Sequence, residues 1–389
     1  MTKIIDITKR VYSGGTPDTR KSEYWNGNIK WLSSGETRNN FVYDTDKKIT
    51  ELGVSNSSTK LANKNSIVMA CAGQGFTRGQ TSYLMDDMYI NQSVICIEPD
   101  EEKVDGLFLY YYFKNSYQML RNLSDDHSSR GSITTAMIKN LEVDFPNLTN
   151  QKKISTILYS LDKKIELNNE INNNLHELCN NMYFELVSQL DDSNSSSKQI
   201  KEVSKCVLGG TPSRAKSEYW NGNINWINSG EVNKFRIIDA SEKITELGLQ
   251  KSSTALLPKG TTVLAITGAT LGQVSRLEID SCANQSVIGI IPNNIELNNY
   301  IYLSIFNTIN DLILKQTGGA QQHINKNDVE THEIIIPNDK LLKKFDESTR
   351  SMFDKISITC FENKRLEQLR DTLLPKLMNG EIDLDNIEI

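Results

Sequence analysis

Four histidines (His127, His176, His323, His332) and six cysteines (Cys71, Cys96, Cys179, Cys206, Cys282, Cys360) have the most chemical reach in this chain of 389 residues. Their spacing gives them no shared task. The cysteines are scattered, with no Cys-x-x-Cys, so they read as reduced thiols of a cytoplasmic protein, small and apolar. The histidines form no metal spacing, and no Ser/His/Asp grouping stands out. Pro99-Asp-Glu-Glu-Lys103 offers acids and a lysine, but a nuclease metal site needs its second acid and its lysine well separated from the first acid. Gly73-Gln-Gly-Phe-Thr-Arg-Gly79 has the glycines of a cofactor loop, yet its counterpart is Thr267-Gly-Ala-Thr-Leu-Gly272. A true phosphate loop would also open a helix after a strand, with an acid downstream. Turn glycines beside a binding surface are the better reading. There is no Gly-x-x-x-x-Gly-Lys-[Ser/Thr], and no Asn-Pro-Pro-aromatic or Asp-Pro-Pro-Tyr segment. The chain reads as one that binds, holds no metal or cofactor of its own, and does not catalyse.

The elements that must position a binding surface are written twice. Gly14-Gly15-Thr16-Pro17 recurs as Gly209-Gly210-Thr211-Pro212, and Lys21 to Ile29 recurs as Lys216 to Ile224. Over 14–36 the copies agree at 17 of 23 positions without a gap. Lys48 to Gly53 matches Lys243 to Gly248, and Asn91 to Val94 matches Asn284 to Val287 after a two-residue loss. Such a period marks a tandem duplication. In each copy, short β-branched runs (Ser66 to Ala70, Val263 to Thr267) predict buried strands, and Leu107–Leu120 and Tyr300–Leu314 predict helices against them. Pro146-Asn147 and Pro337-Asn338 end a strand and offer an Asn cap to a long helix. The fold class is therefore mixed α/β, two similar domains joined by two long antiparallel coiled-coil helices with pseudo-two-fold symmetry. The expected domains are 1–147 and 199–338; a central helix spans 148–190, a flexible linker 191–198, a C-terminal helix 339–380 and a tail 381–389.

In the first helix Leu158, Leu161, Ile165, Asn172, Leu175 and Met182 follow a three-four spacing. A shift of 191 residues gives Met352, Ile356, Asn363, Leu366 and Leu373 in the second. This is a coiled-coil seam. Asn172 and Asn363 fall at equivalent positions in it, where a polar residue sacrifices stability to fix register. Gly380 stops the second helix.

Charge divides along the chain. The net −6 disfavours nucleic acid at first sight, but 1–140 carries 17 basic against 16 acidic residues and 201–320 carries 11 against 10. The acidic excess lies in 141–200 and 321–389. Two nearly neutral modules alternate with two acidic segments, so any grip on phosphates is weak without partners. No apolar run approaches a membrane span, and the first ten residues carry no apolar stretch of a signal peptide.

The segment Gly-Gly-Thr-Pro…Tyr-Trp-x-Gly-x-Ile-x-Trp…Ser-Gly-Glu, present in both halves, resembles the start of target-recognition domains in type I restriction–modification specificity subunits. Leu369-Arg-Asp-Thr-Leu-Leu-Pro375-Lys-Leu-Met-Asn-Gly-Glu-Ile382 resembles that family's C-terminal signature. The resemblance covers essentially the whole chain. It implies two target-recognition domains held apart by antiparallel helices, and duplex DNA as the ligand. It further implies partnership with two methyltransferase subunits and two ATP-driven restriction subunits, which would carry S-adenosylmethionine, ATP and Mg. The first helix has Asn181-Met-Tyr-Phe-Glu185 where the second has Thr372-Leu-Leu-Pro375, so the two helix ends are expected to engage partners unequally. A helix of nearly 40 residues is roughly 55 Å long at about 1.5 Å per residue, more than the ~34 Å turn of B-DNA. The pair would act as a ruler, giving a bipartite site with an unread gap. DNA-facing side chains should come from loops where the copies diverge: Arg38, Arg78, Gln80, Ser128 and Arg130 in the first half, and Asn233, Lys234, Arg236, Thr270, Gln273, Gln321, Gln322 and His323 in the second. Arg, Gln and Asn can read purine edges bidentately. Trp25, Trp31, Trp220 and Trp226, identical between copies, belong to the core. A tandem module for a glycan or protein ligand is the competing reading, which the acidic pI favours.

Overall fold

The structure, a computed structural model, describes residues 1–73, 75–125, 131–314 and 323–384. The chain divides into two compact units, Met1–Lys164 with Leu366–Ile389, and Ile165–Arg365.

In the first unit a five-stranded sheet runs in the order Thr8–Ser13, Val94–Pro99, Ile67–Ala70, Thr81–Leu84, Phe41–Val42, antiparallel except for its last pair. Every residue of Ile67–Ala70 is buried because both faces of the sheet are covered. Ile67 and Met69 pack on helix α1 (Gly106–Asn115) through Phe108, Tyr110 and Tyr111. The alternate residue Val68 packs with Leu32, Ile90 and Val94 toward a second, four-stranded sheet built around Trp25–Leu32. The helix expected over Leu107–Leu120 is broken at Ser116, and a second helix runs Tyr117–Asp125.

The second unit repeats this plan. Ser204–Leu208, Val287–Pro292, Thr262–Ala265 and Val274–Arg276 follow the same order, and Trp220–Ile227 centres the second sheet. The edge strand Phe41–Val42 of the first unit is reduced here to a single bridge, Ile237 to Leu277. Helix α3 (Asn298–Leu314) covers the sheet without a break.

Two long helices, α2 (Leu148–Ser188) and α4 (Asp339–Met378), begin at the expected caps. Asn147 Oδ1 accepts from the Asn150 amide at 2.9 Å, and Asn338 Oδ1 from the Leu341 amide at 3.0 Å. Gly380, at φ +70°, closes α4 while the amides of Asn379, Gly380 and Glu381 bond back to its last turn. Each unit takes a stretch of both helices and pairs them antiparallel. In the first, Asp162 meets Arg370; in the second, Asn168 meets Asn363 and Cys179 meets Met352. The helices are also part of each unit's core: Ile154, Leu158, Leu374 and Leu377 join the first, and Cys179, Tyr183, Phe345 and Phe353 the second. This explains why the compact units cut through both helices rather than at their ends. Along the expected seam, Leu158, Ile165, Asn172, Ile356 and Asn363 are buried, while Leu161, Leu175, Met182, Met352, Leu366 and Leu373 are half-buried.

The stretch read as a flexible linker departs from that reading. Ser195–Gln199 is a strand paired along its whole length with Glu333–Pro337. Backbone amides supply those bonds whatever the side chains, so a serine run can form an edge strand against the apolar Ile334–Ile336.

Candidate nucleic-acid interface

The residues shared by the two copies build a frame. Gly14 lies so close to Ile90 that an added Cβ would sit 1.9 Å from the Ile90 carbonyl oxygen; at Gly209 it would sit 2.2 Å from that of Asn284. Only glycine lets the chain cross there. The Trp31 indole donates to the Gly15 carbonyl at 3.3 Å, and Trp226 to that of Gly210 at 3.0 Å. Trp25 stands edge-on to Trp31, and Trp220 to Trp226, at 5.0 and 5.2 Å. Trp31 and Trp226 are buried and the other two half-buried. The glutamate of each Ser-Gly-Glu is buried as well. Glu36 accepts from the amides of Ser33 (2.8 Å) and Asp46 (2.9 Å), and Glu231 from those of Asn228 (3.2 Å) and Ser241 (3.0 Å). These carboxylates pin the loop that follows each 3-10 helix, Ser34–Arg38 and Ser229–Asn233.

On this frame several predicted side chains converge. In the first unit Arg38 ends its 3-10 helix exposed. The neighbouring Asn39 carbonyl accepts from Ser82, two residues beyond the half-buried Gln80. In the second unit Asn233 ends the equivalent helix, also exposed. Lys234 lies beside it, with its carbonyl accepting from Ser275 at 2.8 Å, two residues past the exposed Gln273. The 3-10 turn Gly268–Thr270 packs against the Ser229–Asn233 helix, and Thr267 bridges to the exposed His323. Asn233, Lys234, Thr270, Gln273 and His323 therefore share one surface. The Gln80 amide bonds to Thr77 and the Gln273 amide to Thr270, each at 3.0 Å, so the two glutamines are structural equivalents. Ser128, Arg130, Gln321 and Gln322 lie outside the described residues.

Two of the predicted readers are buried. Arg78 is buried, its guanidinium paired with Asp125 at 2.6 Å. Arg236 is buried too, donating to Tyr302 Oη at 2.9 Å, lying over the rings of Phe235, Tyr302 and Phe353, and 3.7 Å from Glu278. A buried guanidinium of this kind packs the frame rather than facing solvent; arginine type and loop position did not reveal that burial. Lys234 is already paired with two carboxylates of its own unit, 2.9 Å from Asp239 and 3.3 Å from Glu231.

Sequence reasoning missed two features. Phe76, 83% exposed, stands at the tip of the glycine loop, where its only signal was an aromatic among glycines. Inside the first unit, Asp162 is buried on α2. Its carboxylate takes Arg370 at 2.6 Å, the Tyr111 hydroxyl at 2.8 Å, Asn40 at 3.4 Å and Lys114 at 3.8 Å. Burial pushes the Lys114 ammonium down to about 8 in spite of Asp162. Among the described residues no group of three or more His, Cys, Asp or Glu could hold a metal ion, and no helix is long and apolar enough to cross a membrane.

The family model for the type I restriction modification DNA specificity domain matches residues 2–177 and again 193–369. The chain is 24% identical to the type I restriction enzyme MjaIX specificity subunit of Methanocaldococcus jannaschii, over 99% of this chain and 94% of that protein. It is 22% identical to the HindI specificity subunit of Haemophilus influenzae, over 91% and 94%. The crystal structure of the S subunit of a type I restriction–modification system from M. genitalium superposes with a TM-score of 0.64 at 17% identity, over 97% of this chain and 95% of that one.

Proposed function

This chain belongs to the type I restriction–modification DNA specificity family, and from that premise we propose that each of its units reads one half of a bipartite, asymmetric duplex target. The observation that carries this reading is one frame bearing different side chains at equivalent positions. Arg38 and Asn233 each close the same 3-10 helix, exposed, and the next residue of each accepts from the strand that follows the equivalent Gln80 and Gln273. An arginine at that position suits the O6 and N7 acceptors of guanine, and an asparagine suits N6 and N7 of adenine. The two half-sites therefore differ in sequence. This surface of amides and a guanidinium fits base edges better than a glycan or a protein.

Methyl transfer and cleavage fall to partners: two methyltransferase subunits with S-adenosylmethionine, and two restriction subunits with ATP and Mg. The net charge of −6 leaves most of the phosphate grip to them as well. The chain with its pieces of α2 and α4 positions these partners on the target, in the cytoplasm, with 1–147 as the first reader and 199–338, joined by the paired strand Ser195–Gln199, as the second. The test is the methylated motif in cells carrying the complex. Arg38→Ala should relax one half-site and Asn233→Ala the other, each by about 1–3 kcal/mol of discrimination. A motif unchanged in both variants refutes the assignment.

A further inference from the structure

The glycine loop of the first unit supports a second mode of recognition. Gly73, Gly75 and Gly79 adopt φ of +131°, +82° and +87°, a backbone closed to most side chains, and between them Phe76 projects 83% exposed. The tip is braced from below. Tyr117 Oη donates to the Phe76 carbonyl at 2.8 Å, the Arg121 guanidinium donates to the Gly75 carbonyl and to Tyr117 Oη at 3.0 Å, and it lies 5.6 Å over the Tyr117 ring. Buried Arg78, paired with Asp125, anchors the loop's far end. The loop runs directly into Gln80 and on to Ser82, which bonds to the carbonyl next to Arg38.

The sister loop supplies the contrast. It is two residues shorter, and the Gly272 amide bonds to Ala265 as the Gly79 amide bonds to Ala70. By that register Ala269 stands where Phe76 stands, and Leu271 replaces Arg78, packed against the second unit's core. The aromatic belongs to one unit alone.

An apolar ring held in water on a braced loop has its ordering cost met in advance, and a cation at its base suits a phosphate-lined partner. Phenylalanine is among the side chains that wedge between base steps, and pyrimidine–purine steps yield most easily to such a wedge. We propose that Phe76 inserts between adjacent base pairs at the first half-site, so that this unit reads the deformability of one step as well as base edges. The inference rests on the DNA reading above. It places a TA or CA/TG step within or beside the first half-site and none of that origin at the second.

The experiment uses the full chain with its methyltransferase subunits and a duplex carrying the motif found by methylome sequencing. 2-Aminopurine is placed in turn at adenines other than the methylated ones. The wild type should brighten at one step of the first half-site. Phe76→Ala should abolish that signal and weaken binding about tenfold or more; Phe76→Leu should retain part of both. Unfolding is not a concern at so exposed a position, and an unchanged melting temperature checks it. Wild-type affinity and fluorescence in Phe76→Ala overturn the wedge while leaving the readers standing. Loss of methyltransferase assembly in Phe76→Ala, seen by size exclusion, would show that the ring docks on protein and also overturns it. If the wild-type complex binds no duplex site-specifically, the DNA reading falls and the wedge with it.

Discussion

Replacing Asp162 by asparagine tests what holds the first unit together. The carboxylate is 1% exposed and serves Arg370 and Lys114, 12% and 22% exposed. The amide would keep the Tyr111 hydrogen bond but leave two cations facing each other, with only the exposed Asp371, 2.8 Å from Arg370, as counter-charge. Breaking a buried pair by removing one partner costs about 3–5 kcal/mol. For a unit of this size each kcal/mol moves Tm by about 2–4 °C, so D162N should lower the first unit's transition by roughly 10 °C. Arg370→Met should cost less, because Lys114 remains to compensate Asp162. The double variant Asp162→Leu/Arg370→Met should cost less than the sum, because the pair leaves together and Lys114 can reach solvent. The pH dependence gives a second check. Lys114 has a folded pKa near 8, well below that of a free lysine, so it is protonated at pH 6 and largely neutral at pH 9. The D162N loss should therefore shrink between those values. Calorimetry of the full chain at pH 6 and pH 9 measures both. A loss under about 1 kcal/mol, or a double variant no better than additive, refutes the view that Asp162 neutralises this cluster.

Three further outcomes follow. In the second unit Asn168 donates to Asn363 at 2.8 Å, Asn363 donates to Asn169 at 2.8 Å, and Thr359 donates to Asn172. Converting Asn168 and Asn363 together to leucine should raise Tm while the helices lose a unique register, seen as mixed products when engineered cysteine pairs are crosslinked; a lower Tm with one product contradicts this. Burial, and then nearby Arg236, push the His176 imidazole down to about 4. The unfolded chain therefore binds a proton first, and stability present above pH 6.5 is lost as pH falls toward 4. Urea midpoints at pH 7 and 5 should differ less in His176→Gln than in the wild type, and an equal difference rules the histidine out as the source. Finally, if α2 and α4 set the DNA spacer, a heptad inserted in both adds about 10 Å, near three base pairs at roughly 3.4 Å each. The methylated motif should gain that spacer and keep its half-sites, and an unchanged spacer rules out the ruler.

Some of this was decided by the sequence alone. A duplication with identical Gly-Gly-Thr-Pro and Trp-x-x-x-x-x-Trp elements requires two copies of one frame, because identical neighbours find identical contacts. Asn147, Asn338 and Gly380 mark helix ends through local backbone chemistry, and the β-branched runs mark strands buried on both faces. Only the tertiary structure decided which loop cations reach solvent. Arg38, Arg78 and Arg236 are alike in sequence terms, yet two of them meet carboxylates or rings contributed by residues far along the chain. Serine-rich 195–199 becomes a strand only because Glu333–Pro337 offers an unpaired edge. Asp162 and Arg370, 208 residues apart, find each other only once α2 and α4 pair antiparallel. Periodicity records which face of a helix is apolar; which charge is buried there, and against what, depends on long-range partners that no local pattern encodes.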